Sequence, residues 1–181
     1  MNYLLDRFER IVRSVGEVQA AQVVETKVTD SAGITDNVAV GLTTAEAAHP
    51  FETRNIHPDL PPRVRNLFDD GHWEESVFSA FKFIENEVKR ISGLAGKTGY
   101  ALMMDAFNEA SPDVRLNALS TESQVDEQKG FKFIFAGAAT GIRNPRGHEV
   151  EMGDTPDDAL DYLALASLLL RRLDVAGLRG P

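Results

Sequence analysis

The fold is decided by the C-terminal stretch of the chain, residues 154–173, which reads DTPDDALDYLALASLLLRRL. It opens with a capping threonine, Thr155, and Pro156 follows at the first helical position. Two aspartates in the first turn interact favourably with the positive, N-terminal end of the helix dipole. Leu and Ala then cover almost every face of the later turns. Because a helix that is apolar all round is typically buried, this stretch predicts the central, most buried helix of a helical domain.

Further amphipathic stretches toward the N-terminus also predict helices. Residues 72–91 carry apolar side chains at helical spacing, with the charged residues, Glu85 among them, largely off that stripe. Residues 99–110 and about 126–142 show similar periodicity, although glycines lower the helix propensity of the second. A short helix is expected over 61–68. Since helical stretches far exceed any strand candidate, the chain is predicted to be all-α, an antiparallel helical bundle.

The first 50 residues are expected to form a separate N-terminal segment. Residues 4–18 place apolar side chains at alternating spacings of four and three, which predicts an amphipathic helix. Residues 22–44 fit either a two-stranded β-hairpin or an extended linker. Several prolines near residue 50 and beyond mark a boundary. The predicted organisation is an N-terminal helix with a hairpin or linker over 1–50, and a helical domain over 51–181.

Composition limits the classes of function. The chain has no cysteine, which excludes disulfides, thiol nucleophiles and cysteine-based zinc or iron–sulfur sites. Nothing in the sequence has metal-ligand spacing, so we expect no metal and no cofactor. No apolar run approaches the roughly 20 residues of a membrane span, and acids come too early for a secretory signal, so we expect a cytoplasmic protein with no membrane association. The net charge of -9 argues against wholesale binding of nucleic acid.

The candidate site is the segment Arg143-Asn144-Pro145-Arg146-Gly147-His148, just before the last predicted helix. It lies in the one clearly cationic part of this acidic chain, since residues 128–148 contain no acid. A local anion site is therefore plausible. The guanidinium of Arg143 suits phosphate oxygens, and the imidazole of His148 suits proton transfer near neutral pH. The basic residues of this part are Lys129, Lys132, Arg143 and Arg146.

These two side chains need a change of direction between them to act together. Five positions apart on an unbroken α-helix, Arg143 and His148 would point about 140° away from each other. Pro145 and Gly147 argue against an unbroken helix. A bend at Pro145, with Asn144 capping the next turn, would bring both groups toward one cleft. A polar interhelical loop with an exposed histidine accounts for the same six residues equally well.

Two other features predict structure rather than chemistry. The loop Gly93–Thr98 resembles a phosphate-binding loop, but Ile91 stands where its first glycine is needed and a helix precedes it. We therefore expect a glycine-rich turn between helices. His49, His57 and His72 have no partner at metal spacing, and we expect them to be structural or surface residues.

The pattern Arg143-Asn144-x-x-x-His148 resembles the signature of the HEPN superfamily, in which an arginine is followed by a polar residue and then by a histidine four to six residues past the arginine. The wider sequence resembles one prokaryotic HEPN-like group, the Ymh-type or abortive-infection-like proteins of uncharacterised function, over about residues 55–175. The matching segments are His57-Pro58, Leu67-Phe68-Asp69-Asp70-Gly71-His72-Trp73, Ser92-Gly93, Gly99-Tyr100-Ala101-Leu102-Met103, Ala106-Phe107, Phe135-Ala136-Gly137, Gly141-Ile142-Arg143-Asn144-Pro145 and the Leu-rich end.

The resemblance implies a helical HEPN domain and a metal-independent endoribonuclease, which cleaves RNA by attack of the 2'-hydroxyl in a toxin system or in phage defence. Arg143 would bind the scissile phosphate, His148 would act as general acid or base, and Asn144 would orient one of them or the substrate. Such proteins usually form homodimers in which two motifs face each other. The alternative is a catalytically silent HEPN module that binds a nucleotide, a nucleic acid or a protein partner.

The remaining expectations follow from charge and from the expected class of protein. Arg146, Lys132 and Lys129 are expected to contact RNA phosphates, on the basis of charge alone. The expected partners are an RNA substrate, a second copy of the chain and a regulatory protein, either an antitoxin or a sensor. A purely structural dimer built by the first helix is a third interpretation.

Overall fold

The structure, a computed structural model, describes residues 48–149 and 152–179. These residues belong to one unit, Ala45–Pro181. They form helices and contain no strand, so the all-α prediction is confirmed for this part of the chain. The helix and the hairpin or linker expected over 4–18 and 22–44 lie outside the described residues, and the domain boundary at residue 50 stays a prediction. The elements are α1 (Pro50–Thr53), α2 (Pro62–Asp69), α3 (Trp73–Ser92), α4 (Gly99–Ala106), α5 (Glu122–Gly137), a π-helical segment (Ala138–Arg143), α6 (Asn144–His148) and α7 (Pro156–Val175).

Helix α3 lies at the centre of the bundle. It packs against α2, α4, α6, α7 and the π-helical segment, whereas α7 packs mainly on α3. Val77, Phe81 and Ile84 recur on its buried face at spacings of four and three, as an amphipathic helix requires. The prediction that the last helix is the central one is wrong, since α7 packs mainly on α3. It is nevertheless strongly buried, as predicted, with eight buried residues between Ala159 and Leu173. Leucine content shows that a helix is apolar, but not how many neighbours surround it.

Capping residues explain where two of the long helices begin. The Thr155 hydroxyl accepts from the Asp158 N–H, and the Asp158 carboxylate accepts from the Thr155 N–H. This capping box starts α7 at the predicted place. Helix α5 starts about four residues before its predicted start, because the Thr121 side chain accepts from the Gln124 N–H and caps a polar first turn. Helix α4 ends at Ala106, earlier than the predicted end at 110.

A buried glutamine fixes α5, which leads through the π-helical segment to the motif. The Nε2 of Gln128 donates to the carbonyls of Phe107 (3.2 Å) and Val114 (2.9 Å), and its Oε1 accepts from the Leu116 N–H at 2.9 Å. Phe107 also stacks on Phe135, with ring centroids 4.4 Å apart. The amide therefore has partners for both of its ends, as a buried polar group needs, and the connection from α4 is held against α5.

His57 has a structural role, as expected. Its Nδ1 accepts from the Asp59 N–H at 3.1 Å, so the proton lies on Nε2, which donates to Asp174 at 2.8 Å. The His57 N–H donates to the hydroxyl of Ser167 on α7 at 2.9 Å. These bonds tie the segment before α2 to the last helix.

Candidate functional site

The motif lies on a helical path that leaves α5 through the π-helical segment and continues as α6. At the end of that segment the Asn144 N–H donates to the carbonyl of Ala139, five residues earlier. Asn144 has helical dihedral angles, φ -63° and ψ -47°, and Arg143 stands at the N-cap position of α6, so the prediction that Asn144 caps this turn is wrong. The physical reason is the π-helical segment, whose turns are wider than those of an α-helix. In an α-helix the ring of Pro145 would crowd the carbonyl four residues earlier, and π-helical spacing relieves this crowding.

Arg143 is the last residue of the π-helical segment and points into the bundle toward α3. Its Nη2 lies 2.7 Å from Oε2 of Glu85, and its Nη1 donates to Oδ1 of Asn144 at 2.8 Å. The side chain is only 16% exposed, and its guanidinium carbon lies 6.0 Å from the centre of the Phe78 ring. The Nε is buried and has no hydrogen-bond partner among the described residues. The guanidinium is therefore fixed at two points while some of its five donors stay unused.

Glu85, on α3, is absent from the residues that the sequence predicts for the site. The sequence places it off the apolar stripe, but its side chain is only 1% exposed. Its Oε1 accepts from Lys82 Nζ at 3.0 Å and lies 3.3 Å from Lys89 Nζ. Its Oε2 accepts from the Gly99 N–H at 3.1 Å and also pairs with Arg143. One buried carboxylate thus meets three cations and the first N–H of α4.

These partners keep Glu85 ionised. Burial alone would raise the pKa of its carboxyl, but the hydrogen bond from Lys82, the charge of Arg143 and the Gly99 N–H together lower the pKa below its ordinary value. A sequence signal for this residue does exist, since the glutamate has lysines three residues before it and four residues after it on one helix. Such spacing is also common on solvated helix faces, so it does not by itself indicate a buried site.

His148 ends α6 and is exposed. It makes no hydrogen bond or ion pair with any described residue. The residue before it, Gly147, lies against α3: a Cβ added there would be 2.9 Å from Cε2 of Phe78. Helix α6 is therefore packed closely on α3, with the histidine free at its end. Within one chain Arg143 turns inward and His148 outward, so the two do not contact each other.

Arg146, three residues after Arg143, has internal partners for its whole guanidinium. Its Nε and Nη2 each donate to Asp154 at 2.7 Å, and Nη1 donates to the Ile142 carbonyl at 3.0 Å. The guanidinium lies 4.2 Å from the centre of the Tyr162 ring, and the side chain is 2% exposed. Burial would lower the pKa of Arg146, but the hydrogen bonds and charges of Asp154 and Tyr162 raise it above its ordinary value.

The two lysines expected to contact phosphate lie in different surroundings. Lys132 is buried and pairs with Glu109 from the connection before α5, whereas Lys129 is exposed. The stretch 128–148 contains no acid, but acids from other parts of the chain neutralise Lys132 and Arg146 in three dimensions. Contact of these three cations with phosphate stays a prediction.

Three further properties of the described residues concern membrane-spanning helices, metal sites and clefts. None of their helices is both long enough and apolar enough to cross a membrane. No group of three or more histidines and acids among them is placed to hold a metal ion. A cleft of about 610 Å³ lies between α1 and α2, and its lining residues, which include Phe51, His57 and Arg65, contain none of the motif.

Comparison with known proteins shows a family match. Residues 54–173 match the family described as Hypoth_Ymh, protein of unknown function. The matched part contains α2 to α6, most of α7 and all six motif residues, and it confirms the Ymh-type resemblance. No curated protein and no solved structure matches the chain.

Proposed function

We propose that this chain, which belongs to the Hypoth_Ymh family, is a metal-independent endoribonuclease of the HEPN type. In the proposed reaction the 2'-oxygen of a ribose attacks the adjacent phosphorus while a base takes its proton. The bond between phosphorus and the 5'-oxygen breaks, and an acid gives a proton to that oxygen. The products are a 2',3'-cyclic phosphate and a 5'-hydroxyl.

The observation that carries the proposal is an arginine fixed by a buried carboxylate, five residues before an exposed histidine that has no partner among the described residues. Charge builds up on the phosphate oxygens during this reaction, and a cation already held in place stabilises that charge without reorganisation. Glu85 and Asn144 hold Arg143 in this way. Asn144 would orient the arginine through this contact.

His148 is proposed as the general acid or base, because imidazole can take and give protons near neutral pH. One chain does not bring His148 and Arg143 together, so the proposal includes a homodimer. Two motifs facing each other would supply two histidines, one to accept the proton of the 2'-hydroxyl and the other to protonate the leaving oxygen.

The test is incubation of the purified protein with end-labelled single-stranded RNA in the presence of a chelator. We expect products that end in a cyclic phosphate. His148→Ala should slow cleavage by about 10²–10⁴-fold and Arg143→Ala by about 10²–10³-fold, while Lys97→Ala, at an exposed ion pair, should match the wild type. No cleavage by the wild type, or cleavage unchanged in the first two variants, would sink the proposal.

A catalytically silent HEPN module is the second candidate. Both Nη atoms of Arg143 already have partners within the chain, which favours this reading, since a structural arginine has the same contacts. A silent module would bind RNA or a nucleotide and release no cyclic phosphate. Binding measured beside cleavage on the same RNA separates the two candidates.

We place the proposed enzyme in a toxin or phage-defence system of the cytoplasm, where an antitoxin or sensor protein would control it. Uncontrolled cleavage of cellular RNA should stop growth. Induced expression of the wild type should therefore be toxic, and expression of His148→Ala at the same level should be harmless. Equal growth of the two strains would contradict the toxin role.

A further inference from the structure

We propose that Lys82 and Arg143 form one phosphate subsite, joined by Glu85, for the backbone of single-stranded RNA. Lys82 would be a second phosphate-binding residue, and Glu85 a positioning residue that holds both cations without touching the substrate. The identity of the ligand rests on the proposed function, whereas the grouping of the three residues rests on their contacts.

The two cations share one carboxylate. Lys82 Nζ donates to Oε1 of Glu85 at 3.0 Å, and Arg143 Nη2 lies 2.7 Å from Oε2. Both charged groups are therefore held next to each other, although 61 positions separate them in the sequence. A buried carboxylate bridging a guanidinium and an ammonium fixes their relative position, which a binding site for an anion needs.

The cluster carries an excess of positive charge. Within the subsite Glu85 supplies one negative charge to two cations, Lys82 and Arg143. Arg146 differs, since Asp154 alone engages its charge on two nitrogens. The excess is accessible, because the Lys82 side chain is 39% exposed. In a chain of net charge -9, such a local excess is a place where a phosphate would be attracted.

Lys82 lies on the part of α3 that is close to the motif. Phe78, Lys82, Glu85 and Lys89 follow each other at spacings of four, three and four, and so share one face of α3. Helix α6 meets this face at Phe78, against which Gly147 packs. Lys82 lies one turn from that contact and on its side of Glu85, whereas Lys89 lies on the far side of the carboxylate. Lys82 is therefore the lysine nearer to the end of α6, where the proposed acid or base is exposed.

Lys89 gives a matched control for the binding test. It is on the same helix and approaches the same oxygen of Glu85, at 3.3 Å. The probe is a short fluorescent single-stranded RNA in which every 2'-hydroxyl is methylated, so that it cannot be cleaved by the proposed reaction. Binding is measured by fluorescence anisotropy at several salt concentrations.

Lys82→Ala should weaken binding of this probe by about tenfold, as expected for one charge-assisted phosphate contact. It should also reduce the slope of log affinity against log salt by about 0.7. Lys89→Ala should change the affinity by less than about threefold. Equal effects of the two variants, or no binding by the wild type, would overturn the subsite.

Glu85 is tested through a different readout. Glu85→Gln keeps the shape of the side chain and removes its charge, so we expect a fall in kcat on cleavable RNA with little change in KM, whereas Lys82→Ala should mainly raise KM. Glu85→Asp should restore part of kcat. If Glu85 had only a structural role, Glu85→Gln would instead lower the folded fraction and leave kcat per folded molecule unchanged. That result would overturn its positioning role.

The two assays also distinguish a failure of the proposed subsite from a failure of the proposed ribonuclease activity. If the wild type cleaves no RNA but Lys82→Ala still weakens probe binding far more than Lys89→Ala, the ribonuclease fails and the subsite stands. If the wild type cleaves RNA and Lys82→Ala behaves like the wild type in both assays, the subsite fails and the ribonuclease stands.

Discussion

Arg143 and Arg146 lie three residues apart on one helical path, yet their surroundings are opposite. Arg146 is 2% exposed and uses Nε and Nη2 on Asp154. Arg143 is 16% exposed, shares its acid, Glu85, with two lysines, and keeps a buried Nε without a hydrogen-bond partner among the described residues. One arginine is saturated by its acid, and the other belongs to a cluster with positive charge to spare.

The comparison shows that cationic residues in one acid-free stretch are not equivalent. The contacts of Arg146 connect α6 to the segment before α7 and favour a structural role. Those of Arg143 fix a guanidinium and leave donors unused, as a binding residue requires. The experiments below, ordered from the largest expected effect to the smallest, test this division.

Arg146→Ala should lower the free energy of unfolding by about 3–5 kcal/mol, because it leaves Asp154 largely buried without its partner. Urea denaturation measures this. The double variant Arg146→Met, Asp154→Leu is the control and should recover much of the loss, since it removes both charges together. A cost below about 1 kcal/mol for Arg146→Ala would contradict the structural role.

Glu85→Gln should cost about 1–3 kcal/mol at pH 7, through weaker hydrogen bonds to charged groups. The pKa of Glu85 is lowered by folding, so its stabilising effect is present above the ordinary value of 4.5 and is lost as the pH falls below it. The unfolding free energies of the wild type and the variant should therefore converge as the pH falls below 4.5 into the acid range. A difference that stays constant over this range would show that the charge of Glu85 is not the cause.

Gly147→Ala should destabilise the protein by about 1 kcal/mol, because the new Cβ would lie 2.9 Å from Cε2 of Phe78. Thermal unfolding measures the change. Phe78→Leu in the same chain should remove most of the extra cost, as coupled neighbours do. Additive effects of the two substitutions would mean that α6 does not pack on Phe78 in this way.

His148→Ala should change the free energy of unfolding by less than about 0.5 kcal/mol, since the side chain is exposed and has no partner among the described residues. The same variant is expected to lose cleavage activity. A large loss of stability would indicate that the histidine has a structural contact, and its loss of activity could then not be assigned to chemistry.

Local patterns predict the fold well where the cause is local. The apolar periodicity of α3 and the threonine cap of α7 are both visible in the sequence and both confirmed. Pairings between distant residues are not visible in this way. Glu85 sits on a face that the sequence indicates as polar, and it is buried because Arg143 and Gly99, from other elements, cover it.

The helical continuity of the motif is a second case. The ring of Pro145 would crowd the carbonyl four residues earlier in a continuous α-helix, but the π-helical turn before it relieves this crowding and Pro145 lies in the first turn of α6. The pairing of Arg146 with Asp154 depends on how the chain turns before α7, which the charges alone do not predict. The three-dimensional contacts are therefore needed to show which residues of the cationic segment have charge available for binding.

The most direct test of the account is the rate of RNA cleavage in chelator by Arg143→Lys and Arg146→Lys, measured well below the unfolding temperature of each variant. Both substitutions keep the positive charge and remove the planar fork. We expect kcat/KM to fall at least about a hundredfold for Arg143→Lys and to stay within about threefold for Arg146→Lys. Equal losses, or a greater loss for Arg146→Lys, would contradict the assignment of Arg143 to the site and of Arg146 to the fold.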